Sequence, residues 1–259
     1  MMQNNKPLIS VVTVVYNGAE FLEDTITSVI NQTYDNIEYI IIDGGSTDGT
    51  LDIIRKYEDN ITYWISEPDK GMYEAIDKGF KVAKGEILAW LNADDIYYSG
   101  TLNIVSKVFK NQYIQWLTGV PSLINKDGEI IAVEHPKHYF RYFISKGYYR
   151  GDCLGFIQQE STFFRNKLYK KKPLDISLKL AGDYKLWIDF SESTKLYTVK
   201  TTLASFRVRP GQKSSDINAY YAECSKINKA IKINFLKYFL KPLSILFNNK
   251  LIKLHNIDD

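Results

Sequence analysis

Two adjacent carboxylates, Asp94 and Asp95, follow an apolar run, Glu86 to Leu91, in the segment Asn92-Ala93-Asp94-Asp95. Neighbouring carboxylates repel, and a cation or a hydrogen-bonding ligand offsets that cost. Magnesium and manganese take oxygen ligands, commonly one or two carboxylates plus phosphate oxygens. The pair can give one carboxylate to a metal and one to a ribose hydroxyl, or both can cap a helix expected near Gly100. A second polar cluster, Asp43-Gly44-Gly45-Ser46-Thr47-Asp48-Gly49, follows the run Ile37 to Ile42. Its glycines admit a ligand to the backbone, and Asp43 can accept bonds from a base or ribose. A plain turn with helix caps is the alternative, and the better reading for Ser46 and Asp48. Tyr16-Asn17-Gly18 and Ser66-Glu67-Pro68-Asp69-Lys70-Gly71 close two further apolar runs. Lys70 either offsets nucleotide charge or is a solvated residue beside Asp69. Arg207, Arg209 and Lys213 form a late basic loop, suited to clamping a diphosphate or to plain surface charge.

These clusters need a frame that gathers them. Leu8 to Val15, Ile37 to Ile42, Ile61 to Ile65 and Glu86 to Leu91 read as strands. Between them, Leu22, Ile26, Val29 and Ile30, then Thr50 to Tyr57, then Met72, Ile76, Phe80 and Ala83 recur at helical spacing. The β-α-β-α-β-α-β order predicts a mostly parallel sheet with helices on both faces. In such sheets ligands bind beyond the carboxyl ends of the strands, where the polar clusters fall. After residue 115 the pattern changes. Gly119 to Ile124 and Glu129 to Val133 flank Asn125-Lys126-Asp127-Gly128, a hairpin signal. Tyr139 to Tyr149 is aromatic-rich and fits a groove lining or a partly buried helix. Further strands are expected within 157–164 and 196–206, and helices from Asp183 and over 215–231.

Taken together, V-V-T-V-V-Y-N (Val11 to Asn17), D-G-G-S-T-D-G (Asp43 to Gly49), E-P-D-K-G-M-Y-E-A-I-D-K-G (Glu67 to Gly79) and L-N-A-D-D (Leu91 to Asp95) resemble the family 2 glycosyltransferases. The resemblance is strong over residues 7–110, thinner to about 215, and does not include the tail. It implies the GT-A fold: a Rossmann-like α/β architecture, a mostly parallel mixed sheet flanked by helices, to which the residue pattern itself adds a C-terminal helical tail. It implies an inverting transfer of sugar from a nucleoside diphosphate, UDP favoured, to a hydroxyl of a glycan or lipid-linked acceptor. Cell-surface polysaccharide synthesis is the setting expected. Thr13, Tyr16, Asn17 and Asp43 would hold base and ribose, and Lys70 would lie near base or pyrophosphate. Asp94 would contact ribose or sugar, Arg209 would bind the nucleotide sugar, and Asp95 would ligate Mn2+ or Mg2+. Ala181-Gly182-Asp183-Tyr184 is similar to the segment that carries the general base, so Asp183 is assigned that role. Many relatives carry Glu where Gly182 stands, and helix capping is the other reading of Asp183. Glu160, in Gln158-Gln159-Glu160-Ser161, is the reserve base. Residues 1–110 would form the nucleotide-sugar half of one domain spanning 1–225, and 111–225 the acceptor half.

Composition sets the outer bounds. Net charge is +3 over 259 residues, which gives no sign of a nucleic-acid partner. Residues 226–259 hold seven Lys and two Asp, a net +5, leaving −2 for the rest. Lys interleaved with Ile, Leu, Phe and Tyr over 226–256 predicts a basic amphipathic tail, either lying on an anionic membrane surface or packed on the domain. Two cysteines exclude a disulfide framework, and a polar start without a signal pattern predicts a cytoplasmic protein, peripheral on the inner membrane face. A nicotinamide-linked enzyme would need G-x-G-x-x-G after the first strand, where Tyr16-Asn17-Gly18-Ala19-Glu20 stands. A nucleotidyltransferase-like or non-catalytic nucleotide-sugar-binding protein on the same sheet is the remaining alternative.

Overall fold

The computed structural model describes residues 6–228 and Ile252. A seven-stranded sheet runs through the molecule. Its first-half strands are β1 (Ile9–Val15), β2 (Ile37–Asp43), β3 (Tyr63–Ser66) and β4 (Ile87–Asn92). The short β5 (Ile96–Tyr97) follows, then β6 (Trp116–Thr118), β7 (Ser122–Ile124), β8 (Ile130–Val133), β9 (Thr162–Arg165), β10 (Tyr197–Thr198) and β11 (Ala204–Arg207). The large sheet has the order β10-β6-β9-β4-β1-β2-β3. Only β9 runs antiparallel to its neighbours, so the sheet is mixed and mostly parallel, as expected. The second half of the chain thus extends the sheet begun by the first. A smaller sheet, β5-β11-β7-β8, includes the expected hairpin, with a register shift between Leu123 and Ile124.

The helices are α1 (Leu22–Ile30), α2 (Thr50–Lys56), α3 (Met72–Val82), α4 (Thr101–Phe109), α5 (Arg141–Ser145), α6 (Asn166–Lys171), α7 (Gly182–Ser191) and α8 (Ile217–Ile227). All seven residues of β1 are buried, because helices cover both faces of the sheet. Alternation along each strand divides the core in two. Val11, Ile41 and Ala89 pack with Leu22, Ile26, Ile54, Leu102 and Val105 on one face. Val12, Ile40, Leu88 and Trp90 pack with Ile76, Phe80, Leu186 and Trp187 on the other. There Trp187 stacks on Trp90 at 5.7 Å and on Trp116 at 5.3 Å.

The aromatic stretch 139–149 contains a partly buried helix, α5, one of the two forms expected there: Ile144 is buried on it, Tyr139, Tyr148 and Tyr149 are buried beside it, and Tyr142 projects outward. Other expectations take a different form. Neither carboxylate of the 94–95 pair caps the next helix; Gly100 occupies that N-cap with a left-handed backbone and no side-chain bond. Both cysteines are free. The expected tail, 226–256, falls outside the described residues except for its first three and Ile252. Ile252 pairs in parallel with Val199 beside β10, its N–H donating to Thr198 O at 2.9 Å and its carbonyl accepting from Lys200 N at 2.9 Å. Among the described residues, no helix is long and apolar enough to cross a membrane.

Candidate active site

Strand register brings the polar clusters to one rim. Val15 of β1 lies beside Asp43 of β2, and Val14 beside Asn92 of β4. The turns after these three strands therefore leave the sheet at a common level, at its carboxyl edge.

On the β1/β2 side the turns bind one another. Asn17 adopts a left-handed backbone, φ 49°, which Asn tolerates better than most residues. Its N–H donates to Ser46 Oγ at 2.7 Å, and its Oδ1 accepts from Thr47 N at 2.8 Å. Asp48 accepts from Ala19 N at 3.1 Å and Thr50 N at 2.9 Å. Asp43 has no exposed surface. Its Oδ2 accepts from Gly45 N at 3.0 Å, Ser46 N at 2.9 Å and Ser66 Oγ at 2.6 Å, and its Oδ1 accepts from Ser46 Oγ. The carboxylate of Asp43 thus shapes its own turn. Above that turn Tyr16 is 67% exposed. A Cβ on Gly44 would lie 2.7 Å from Asp69 Oδ2 and 3.4 Å from Tyr16 Cδ2, so the Tyr16 and Asp69 side chains lie close over the Gly44 backbone. Thr13 departs from its expected place. It is fully buried two residues inside β1, and its hydroxyl pairs with Tyr39 OH at 3.0 Å, away from the rim. Lys70 is exposed, with its backbone N–H donating to Glu74 Oε2 at 2.5 Å.

On the β4/β9 side the carboxylates are less well served. Asp95 is fully buried; its Oδ1 accepts from Arg207 N at 2.9 Å and its Oδ2 from Asn92 Nδ2 at 3.2 Å. Burial, and then the charges of Asp94 and Glu160, push its carboxyl well above the usual range. It faces inward, where the expected metal contact would have it face the rim. Asp94 is partly exposed, and its Oδ2 accepts from Arg209 Nε at 2.8 Å. The Arg209 guanidinium also lies 5.3 Å from the Phe21 ring. Arg207 belongs to the interior: it donates to Asp94 O at 2.8 Å, Asp24 Oδ2 at 2.9 Å and Lys126 O at 2.7 Å. Glu160 is 2% exposed and its Oε1 has no hydrogen-bond partner among the described residues. Burial raises its carboxyl to about 8, with the charges of Asp183 and Asp94 adding to the rise. Beside it Gln159 donates to Trp90 O at 2.6 Å and accepts from Asn92 Nδ2 at 3.0 Å, while Asn92 Oδ1 is unpartnered.

Asp183 stands in the first turn of α7, partly buried. Its Oδ1 lies 3.2 Å from Tyr73 OH of α3. Burial raises its carboxyl to about 6, against the lowering effect of the Tyr184 N–H and the Tyr73 hydroxyl. Asp94, Glu160 and Asp183 therefore share one field, although they come from the end of β4, the approach to β9 and the start of α7. Sequence reasoning assigned no role to Tyr73, Asn92 or Gln159. All three lie inside or beside quoted motifs, but Tyr73 meets Asp183, and Asn92 meets Gln159, across long stretches of chain.

Among the described residues, no group of three or more His, Cys, Asp or Glu is placed to hold a metal ion by itself. The residues fit a different kind of site. Asp94 is partly exposed and has an oxygen beyond the one Arg209 engages, and unpartnered Glu160 Oε1 and Asn92 Oδ1 lie in the same neighbourhood. Such a donor set suits a hard cation held by one carboxylate and completed by phosphate oxygens and water.

The match to known proteins agrees with this geometry. Residues 10–175 match the family model described as glycosyl transferase family 2. An uncharacterised glycosyltransferase of Rickettsia typhi is 32% identical over 221 residues, which are 83% of this chain and 69% of that protein. Among solved structures, S. aureus TarS 1-349 in complex with UDP-GlcNAc superposes with a TM-score of 0.66 at 18% identity, covering 80% of this chain and 60% of that one. The mannosyltransferase PcManGT from Pyrobaculum calidifontis, in complex with GDP-Man and Mn2+, gives 0.64 at 16% identity, covering 95% of this chain and 72% of that one. At these identities the structures establish the fold, and the family model with the Rickettsia relative establishes the kinship. The chain belongs to glycosyltransferase family 2.

Proposed function

We propose that this glycosyltransferase is inverting and metal-dependent. It would move a sugar from a nucleoside diphosphate, UDP favoured, to a hydroxyl of a glycan or lipid-linked acceptor in cell-surface polysaccharide synthesis. The observation that carries the reading is the convergence of Asp94, Glu160 and Asp183 at the carboxyl edge of the sheet, with Asp183 held at about 6. A carboxylate with that value is ionised at neutral pH yet is a stronger base than an ordinary aspartate.

The base and ribose would lie over the β1/β2 turns, with the exposed Tyr16 ring against the base and Asn17 and Asp43 holding the turn in shape. Lys70 and Arg209 would face the phosphates. The cation contact, expected at Asp95, is reassigned to Asp94, because Asp95 is enclosed and spends both oxygens internally. Bound Mn2+ or Mg2+ would supply charge to the departing diphosphate. Arg209 would exchange its bond to Asp94 for one to phosphate. Asp183 would take the proton of the acceptor hydroxyl as that oxygen attacks the anomeric carbon from the face opposite the diphosphate. One displacement inverts the centre. Glu160, neutral at physiological pH, would donate a hydrogen bond to the sugar.

The deciding experiment screens a panel of UDP-, GDP- and dTDP-sugars for thermal stabilisation and turnover, with Mn2+ and with EDTA. The expected result is one preferred donor whose turnover stops in EDTA. Full turnover in EDTA would refute the metal part, and stabilisation without turnover for any acceptor would favour a binding protein.

A further inference from the structure

Helix α8 carries a carboxylate that the chemistry above does not use. Glu223 reaches from α8 to the segment just before α7, where its Oε1 accepts from Lys179 N at 2.8 Å. Its Oε2 accepts from Leu180 N at 2.7 Å and Ala181 N at 2.6 Å. Three consecutive backbone N–H groups thus converge on one side chain, immediately before Gly182 and Asp183. Burial works to raise the Glu223 carboxyl, but the three bonds outweigh it and the group sits below its ordinary value. The same segment is tied on its other side. Lys179 Nζ donates to Lys70 O at 2.6 Å, and Tyr73 OH donates to Leu180 O at 2.9 Å while lying 3.2 Å from Asp183 Oδ1.

We propose that Glu223 is a positioning residue for Asp183, clamping 179–181 so that the base and Tyr73 keep one geometry. The proposal rests on the reading of Asp183 as base. Asp183 occupies a first helical turn, and the backbone direction there is set by the segment entering the helix. Without the clamp, three N–H groups at a half-buried site lose their acceptor, and the segment must turn to find others. A displacement of about 1 Å at a reacting group can cost on the order of 10²-fold in rate. Donor contacts on the β1/β2 side do not pass through α8 and should be spared. Glu223 also places a negative charge near Asp183, which adds to the rise of its carboxyl.

The test compares Glu223→Ala and Glu223→Gln with the unaltered protein. Two readouts need no ligand: amide hydrogen exchange at 179–181, and the titration of Asp183 followed by carboxyl NMR. The third is turnover with the sugar nucleotide of the panel that reacts fastest. Glu223→Ala should speed exchange at all three amides, lower kcat at least about tenfold and leave donor KM within about twofold. Both variants should move the acid limb of the rate profile, and the Asp183 titration, to lower pH. Glu223→Gln retains an accepting oxygen, so it keeps the fold if Ala does not. Slow exchange, unaltered kcat and an unmoved limb in either folded variant would overturn the proposal. Asp183→Asn, measured beside them, separates the two ideas. If it is inactive while Glu223→Ala is normal, only the clamp fails; if it turns over fully, the base assignment fails as well.

Discussion

The two flanks of the rim treat their carboxylates differently. Over β1 and β2, Asp43 and Asp48 give their oxygens to the N–H groups and hydroxyls of the neighbouring turns. Over β4 and β9, Glu160 Oε1 and Asn92 Oδ1 are buried without partners, and Asp183 and Glu160 are held above their ordinary values. The first flank is a finished surface that can receive a flat base by shape. The second has unspent hydrogen-bonding capacity, which costs stability until something fills it. On the proposed reading, the first flank binds and the second carries the chemistry.

The sharpest way to break the comparison is to remove the base. Asp183→Asn should lower transfer by about 10³-fold, the scale of general-base catalysis, while donor affinity changes little. Near-normal turnover would show that the unfinished flank is not where the proton moves. Next comes the adjacent acidic pair. Asp94→Ala should cost on the order of 10²-fold and flatten the response to added Mn2+. Asp95→Asn keeps an oxygen for Arg207 N and should leave that response intact. A titration of turnover against Mn2+ that reverses the two would restore Asp95 as the metal contact.

The finished flank should fail by unfolding. Asp43→Ala orphans the Gly45 and Ser46 N–H groups and should cost about 1–3 kcal/mol by chemical denaturation. A smaller effect carries a definite sign. The folded protein holds the Glu160 proton up to about pH 8, whereas the unfolded chain releases it near the ordinary glutamate value of 4.5. Stability from this group is therefore full below about 4.5 and is lost as pH rises through 8. Glu160→Gln should match the parent protein in melting temperature near pH 4 and exceed it increasingly towards pH 8. An advantage that shrinks with rising pH would contradict the buried neutral acid.

The sheet and its helices were legible because buried parallel strands are continuous apolar runs and the helices between them are amphipathic. The four early strands fall within two residues of their expected bounds. The rim was legible too, since strand ends can be read and register follows from parallel order. Side-chain direction at the rim was not. Asp94 and Asp95 are adjacent and chemically identical, and only the backbone turn after β4 decides that one reaches Arg209 and the other the Arg207 N–H. Thr13, placed at base and ribose by the resemblance, instead pairs its hydroxyl with Tyr39 on the next strand, a contact that a shared motif does not record. Tyr73, Gln159 and Glu223 act on residues far along the chain, a relation that no local spacing records.

The pairing of Ile252 with Val199 bears on how the far end of this chain should be handled in the laboratory. β10 is a two-residue outer strand, and an outer strand left open invites association with other chains. Ile252 occupies part of that open side. A deletion made to test the expected membrane contact of the tail would strip this cover as well, and clumping of the shortened protein would then imitate, or mask, a change in where it resides. Exchanging the lysines of 229–250 for uncharged residues changes the charge while keeping the cover in place.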